Sequence, residues 1–219
     1  MKQFIIFMFT LVATIAAQAQ DSVKAGDTTS ARKDDMETLI PTDDFTSGGF
    51  GALVIKVGPV DGDAGIFVGG RGGWVINRTF VIGGGGYGFT DMNYAPTGTQ
   101  RDTGIAFGYG GLELEYLIAS HKMIHGTVIT HIGAGGFTVV ERTSNGDYYG
   151  NGRGLYSAAC FVFEPSVNVE VNILSWLRLA VGVGYRFVTG IDAVIGGKTY
   201  DNGTMSGVFG VGQIKFGPY

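Results

Sequence analysis

The sequence predicts an all-β protein, an eight-stranded antiparallel up-and-down transmembrane β-barrel with short periplasmic turns and longer external loops. Residues 157–173 alternate between apolar side chains at odd positions and small or polar ones at even positions, as in a strand with two different faces. Several other segments share this alternation, and the connections between them differ in length in a regular way. A secretory signal precedes all of them.

Residues 1–19 are predicted to be a signal peptide. Lys2 is followed by an apolar run and then by Ala17-Gln18-Ala19, an A-x-A cleavage site. The run of about 14 apolar residues is shorter than the roughly 20 residues of a spanning helix. Residues 20–47 are rich in Asp, Ser and Thr and poor in large apolar residues, so we expect a flexible acidic periplasmic extension. The barrel is then predicted over residues 48–219.

Eight strand-like segments follow the extension. They are 48–60, 64–76, 79–91, 103–118, 124–141, 157–173, 177–189 and 204–216. After a tight first hairpin at 61–63, short and long connections alternate: 77–78, 92–102, 119–123, 142–156, 174–176 and 190–203. Bacterial outer-membrane barrels have an even number of strands, short periplasmic turns and longer external loops. We therefore expect both termini on the periplasmic side.

The composition agrees with this class and excludes others. The chain of 219 residues has 39 glycines, 12% aromatic residues and 16% charged residues. Glycines spread through strands indicate a crowded, strongly curved sheet. The chain has no basic patch, which argues against a nucleic-acid partner. Cys160 is the only cysteine, so no disulfide framework is expected.

The polar faces of the strands are expected to point inward. The polar face of 177–189 sets glycine and alanine between two arginines, which suits the narrow interior of an eight-stranded barrel. Buried charges must be paired, so we expect them to form one interior polar network. Its predicted members are Arg71, Glu113, Glu115, Glu164, Glu170, Arg178 and Arg186.

The register of one hairpin follows from its turn. If the turn between the sixth and seventh segments is centred on its middle residue, Glu164 lies opposite Arg186 and Phe163 opposite Phe187. Pro165 cannot donate to a neighbouring strand, and a closed barrel has no free edge. We therefore expect a bulge or a local break at Pro165.

Aromatic residues are predicted to form two girdles at the membrane interfaces. One girdle would lie near the short turns and the other toward the longer loops. The first comprises Trp74, Phe80, Tyr116 and Trp176, and the second comprises Phe89, Phe163, Tyr185 and Phe187.

No catalytic, metal or cofactor site is predicted. His125 and His131 share a strand face but lie about 20 Å apart along a straight strand, too far to bind one metal ion. Ser120 and His121 are adjacent, so their side chains diverge in a strand, and no nearby Asp would orient the imidazole. The glycine clusters open no helix, which excludes a dinucleotide fingerprint.

A family resemblance covers most of residues 48–219 and rests on four segments. They are GGRGGWVINRTFVIGGGGYGF (69–89), GYGGLELEY (108–116), FEPSVNVEVNI (163–173) and LRLAVGVGYRF (177–187). They resemble an uncharacterised family of Bacteroidota outer-membrane barrel-like proteins. More distantly, the chain looks like the OmpA/OmpX class of small barrels. The resemblance implies architecture and an outer-membrane location, and it carries over no functional residue.

We therefore expect a non-enzymatic outer-membrane barrel with a packed polar interior, acting as an envelope structural component or as a surface-interaction protein through its external loops. The expected partners are outer-membrane lipid and the outer-membrane assembly machinery; a surface ligand stays unspecified. A narrow passive pore is one alternative. The other is a soluble periplasmic lipocalin-like barrel, which needs Val167, Val169, Val181 and Val183 to face a ligand cavity.

Overall fold

The computed structural model describes residues 46–90, 103–141 and 154–218, and their regular structure is β-sheet apart from one 3₁₀ turn at Asn202–Thr204. Eight strands form the barrel: β1 (Ser47–Val60), β2 (Asp63–Ile76), β3 (Phe80–Thr90), β4 (Thr103–Ile118), β5 (Ile124–Glu141), β6 (Gly154–Leu174), β7 (Leu177–Thr189) and β10 (Gly207–Phe216). Two short strands, β8 (Asp192–Ile195) and β9 (Lys198–Asp201), form a separate hairpin between β7 and β10.

The eight barrel strands form a closed ring. Their order is β1-β10-β7-β6-β5-β4-β3-β2, and every neighbouring pair is antiparallel. The first and last strands close the ring through pairs running from Gly51 opposite Phe216 to Val57 opposite Gly210. The prediction of an all-β, eight-stranded up-and-down barrel is confirmed. In the described ranges, no helix is long and apolar enough to span a membrane.

Three short turns lie at one end of the barrel, which we call the short-turn end. The other end, the long-loop end, holds the longer connections and the two-residue β1–β2 turn. The short-turn end holds the turns at 77–79, 119–123 and 175–176. Asn77 and Arg78 have positive φ values, 50° and 53°, as the two central residues of a type I′ turn do, and the Thr79 N–H donates to the Ile76 carbonyl oxygen at 3.0 Å. The predicted loop 92–102 and most of 142–156 lie outside the described residues, as do the predicted signal peptide and nearly all of the acidic extension.

The two faces of the barrel wall differ in chemistry. In the described ranges, the outward positions of the eight barrel strands hold no Asp, Glu, Lys, Arg or His. Val181 is 67% exposed on this face, and Val167, Val169 and Val183 are exposed with it. The valines therefore do not face a cavity, as a soluble ligand-binding barrel would require. The apolar face points outward and the polar face inward, as the sequence predicts.

The predicted register of the β6–β7 hairpin is confirmed. Phe163 lies opposite Phe187, with ring centroids 5.9 Å apart. The β6–β7 ladder skips Glu164 and Pro165 and resumes at Ser166 in the same register. Pro165 thus causes the predicted local break, but no bulge. Register shifts occur elsewhere in the sheet, between Val139 and Val140 on the β5 side and between Asn172 and Leu174 on the β7 side of β6.

The connection predicted as the loop 190–203 contains ordered structure. Strands β8 and β9 pair from Asp192 opposite Asp201 to Ile195 opposite Lys198. Their turn is Gly196-Gly197, and both glycines have positive φ values that other residues rarely adopt. The Asp201 side chain caps the following 3₁₀ turn, so the last barrel strand begins at Gly207 and not at 204 as predicted.

Candidate functional site

The barrel interior contains nine charged side chains, four of them carboxylates, in the described part of the chain. All are at most 8% exposed, because each lies at an inward position of its strand. Isolated charges at such burial would be strongly destabilising, so the contacts among them decide whether the barrel can form. The nine are Lys56, Arg71, Glu113, Glu115, Glu164, Glu170, Arg178, Arg186 and Lys215.

Glu164 is the centre of one cluster. Its Oε2 accepts a hydrogen bond from Lys56 Nζ at 2.5 Å. Its Oε1 accepts hydrogen bonds from Arg186 Nε at 2.7 Å and from the Tyr109 hydroxyl at 2.6 Å. Lys56 Nζ also lies 3.3 Å from the centre of the Tyr87 ring, where a cation is attracted to the aromatic face. One carboxylate therefore neutralises cations from two different strands.

Glu113 is the centre of a second cluster. It pairs with Arg71 Nε, accepts a 2.5 Å hydrogen bond from the Tyr87 hydroxyl and lies 3.1 Å from His131 Nδ1. Arg71 Nη2 donates to Glu115 at 2.9 Å. Tyr87 touches both Glu113 and Lys56, so the second cluster is continuous with the first.

The chain of ion pairs extends toward the short-turn end. Lys215 Nζ bridges Glu115 at 2.6 Å and Glu170 at 2.5 Å. Glu170 also accepts from Arg178 Nη1 at 3.2 Å and lies 3.5 Å from His125 Nε2. The structure thus brings all seven residues of the proposed network into one connected set, and with Tyr87 on β3 and the two histidines on β5 this set links all eight barrel strands.

Sequence reasoning missed several members of this set. They are Lys56, Tyr87, Tyr109, His125, His131, Gln213 and Lys215. Strand parity could have identified the two lysines. Lys56 lies between outward Ile55 and Val57, and Lys215 between outward Ile214 and Phe216.

An aromatic layer fills the interior between the ion pairs and the long-loop end. The Phe67 ring lies 5.2 Å from that of Phe89 and 6.2 Å from that of Phe107, and the Arg186 guanidinium covers its face at 3.8 Å. The predicted girdle position of Phe89 is wrong, because its side chain is only 9% exposed and points inward. Phe89 and buried Tyr87 both occupy odd positions of β3, so their side chains point to the same side of the strand.

The other predicted girdle residues lie on the outer face. Trp74, Tyr116 and Trp176 are about half exposed near the short-turn end, with Phe80 beside them. Tyr185 and Phe187 are exposed nearer the long-loop end, where their rings lie 4.4 Å apart and Phe163 packs against Phe187.

The β8–β9 hairpin covers the long-loop mouth. Tyr200 is 1% exposed, and its ring lies 5.9 Å from that of Phe137 on β5. Lys198 pairs with Asp61 in the β1–β2 turn. The Tyr156 hydroxyl donates to the carbonyl oxygen of Asp192 at 3.0 Å. These contacts join the hairpin to β5, β6 and the β1–β2 turn.

The described part of the barrel contains cavities, of which two matter for the site. One, of about 20 Å³, lies among the ion pairs beside Lys56 and Glu164, with room for about one water molecule. The other, of about 450 Å³, lies at the short-turn mouth, where Ser120 and His121 line it. Across the described ranges, no three His, Cys, Asp or Glu residues are grouped as a metal site would require.

No protein-family model matches the chain, and no curated protein sequence matches it, so membership of a Bacteroidota family stays a prediction. Several solved structures are similar, among them the following three. Neisserial surface protein A is 12% identical over 78% of this chain and 96% of its own, with a TM-score of 0.49. The N-terminal β-barrel domain of Pseudomonas aeruginosa OprF is 7% identical over 78% and 96%, with a TM-score of 0.48. Ail, the attachment invasion locus protein of Yersinia pestis, is 10% identical over 79% and 95%, with a TM-score of 0.38. The strand pairing of the chain itself shows that it is an eight-stranded barrel. Similarity to these three structures shows no role, ligand or partner of the chain.

Proposed function

We propose that the mature chain is an integral β-barrel of a bacterial outer membrane, with a packed interior and no enzymatic activity. It acts as an envelope component or as a surface-interaction protein through its long-loop end. One observation carries the proposal: the barrel wall has no charged residue on its outer face in the described ranges, and its buried charges lie inside.

The outer face suits contact with lipid. A lysine or arginine facing lipid at the bilayer midplane costs about 2–4 kcal/mol, so a wall without charges is expected there. The closed ring also pairs every barrel strand on both sides, so most backbone hydrogen bonds are made within the sheet, as hydrocarbon surroundings require. Outer-membrane lipid is therefore the first proposed partner. The outer-membrane assembly machinery is the second, after removal of residues 1–19 by signal cleavage.

The interior favours a closed barrel over a passive pore. A pore needs interior charges that line water, whereas Glu164 and Glu170 each bind more than one cation directly. The aromatic layer around Phe67 lies between these charges and the long-loop mouth, and the β8–β9 hairpin covers the mouth itself. Solute flow through the barrel is therefore opposed at three levels.

The long-loop end is the proposed interaction surface. The loops 92–102, 142–156 and 190–203 are rich in Tyr, Asn, Asp and Gly, which suit contacts with headgroups, glycans or proteins. Val194 on the β8–β9 hairpin is exposed at this end. The short-turn end and the acidic extension would face the periplasm.

Folding into lipid vesicles tests the proposal. The mature chain, residues 20–219, should be rich in β-structure by circular dichroism and should migrate differently on an unboiled denaturing gel than after boiling. In planar bilayers it should give no discrete conductance. A chain that stays monodisperse in buffer without amphiphile would contradict the membrane location. Discrete conductance of the folded chain would favour the pore.

A further inference from the structure

We propose that the short-turn mouth is a binding site for an oxyanion, namely the phosphate group of a small phosphate ester or of a lipid headgroup. Three turns surround this mouth and enclose a cavity of about 450 Å³. Its lining combines basic, hydroxyl and apolar side chains: Val75, Arg78, Leu117, Ser120, His121, Asn172, Ile173, Leu174, Ser175 and Arg178.

The polar lining residues are mostly donors without partners. Arg78 is exposed and forms no ion pair with any described residue. The side chains of Ser120, His121 and Ser175 form no hydrogen bond within the described ranges. Among the residues that the structure describes, no Asp or Glu lines the cavity. Arg178 forms part of the inner wall, where it holds Glu170 at 3.2 Å and so separates that carboxylate from the cavity.

This donor set fits an oxyanion better than a cation. An arginine guanidinium presents parallel N–H groups that match phosphate oxygens, and hydroxyl and imidazole N–H groups supply further donors. A metal ion would instead require carboxylates or several carbonyl groups. Asn172 also lines the cavity, but its Oδ1 is buried and its Nδ2 donates to the Lys122 carbonyl, so its amide offers no acceptor to a ligand.

The cavity is larger than a phosphate ion. Its volume lies within the roughly 300–1,000 Å³ of small-molecule sites. Its apolar walls, including Leu117 and Ile173, offer contact to a carbon skeleton. A phosphate with a small organic group, such as a glycerol phosphate, therefore fits both the donors and the apolar walls. The same group occurs free in solution and in the headgroup of phosphatidylglycerol, so two probes are needed.

The test uses the full mature chain in zwitterionic detergent. Calorimetric titration with sn-glycerol 3-phosphate probes a soluble ester, and native mass spectrometry with phosphatidylglycerol against phosphatidylcholine probes a lipid. Whichever probe binds the wild-type chain, we expect Arg78→Gln to weaken its binding about tenfold or more, because one charge-assisted contact is lost. His121→Gln should weaken it less. Lys122→Gln is the matched control, because Lys122 lies in the same turn as His121 but does not line the cavity.

Each outcome decides the proposal. The site is supported if one of the probes binds, Arg78→Gln weakens that binding, and Lys122→Gln changes it by less than about twofold. The probe that binds then identifies the source of the phosphate. Binding of neither probe, or equal weakening by both variants, overturns it. Gel migration of unboiled samples shows that each variant is folded, and His121→Gln replaces Arg78→Gln if that variant does not fold. The test depends only on a folded chain, so its failure leaves the proposed membrane role untouched.

Discussion

Glu164→Gln should strongly destabilise the barrel. The substitution keeps the size of the side chain and an acceptor oxygen but removes the charge that holds Lys56 and Arg186. Among the described residues, neither cation forms an ion pair with any other carboxylate. Arg186 is fully buried and Lys56 nearly so, and the cavity beside Lys56 has room for only about one water molecule, which cannot replace a lost carboxylate charge.

The expected loss follows from these contacts. Breaking a buried ion pair by removing one partner costs about 3–5 kcal/mol, because an uncompensated charge stays buried. Glu164→Gln leaves two such charges but keeps the Tyr109 contact, so we expect at least about 3 kcal/mol in the free energy of unfolding. Adding Lys56→Met removes one of the two cations. The double variant should therefore be more stable than Glu164→Gln alone.

Urea titration of the chain in lipid vesicles, followed by Trp74 and Trp176 fluorescence, measures both effects. Asp63→Asn is the control, because Asp63 is an exposed carboxylate at the start of β2 and should contribute less than about 0.5 kcal/mol. A Glu164→Gln variant as stable as the Asp63→Asn control would refute the reasoning. A double variant less stable than the single one would refute the claim that Lys56 depends on Glu164.

Three further substitutions test other parts of the barrel by the same titration. Val181→Lys places a charge on the outer face and should cost about 2–4 kcal/mol in vesicles; an unchanged midpoint would argue against lipid contact. Tyr200→Ala should cost about 3 kcal/mol, because a buried ring is lost from the β8–β9 hairpin, whereas Tyr200→Phe should be nearly neutral. Gly133→Ala should cost about 1–3 kcal/mol, because its Cβ would clash with the carbonyl oxygen of Gly110. Gly136→Ala has open space and should be neutral; equal effects of the two would contradict the packing.

Much of the fold could be predicted because strand alternation is a local property. Along 157–173 the large apolar residues occupy every second position, so the two faces and the β6–β7 register follow from the sequence and one turn. The pairing of Glu164 with Arg186 follows from that register. Contacts between side chains on opposite sides of the barrel do not follow from the register of one hairpin. Lys215 and Glu115 are 100 residues apart, and they meet only because the ring closes.

Two other features were missed for different reasons. Phe89 follows a run of glycines at 83–86, and glycine has no side chain from which alternation can be read. The β8–β9 strands are four residues long, too short for an alternation pattern. The Gly196-Gly197 pair between them is a hairpin signal that could have revealed the turn.

Lipid accessibility of successive positions on β7 tests the central claim most directly. In a Cys160→Ala background, single cysteines at 180, 181 and 183 carry spin labels, and the barrel is reconstituted into vesicles. The structure predicts that labels at 181 and 183 collide with oxygen dissolved in the acyl chains. A label at 180 should be shielded from both oxygen and a water-soluble nickel complex. Collision of the nickel complex with the label at 181 would contradict a lipid-facing wall.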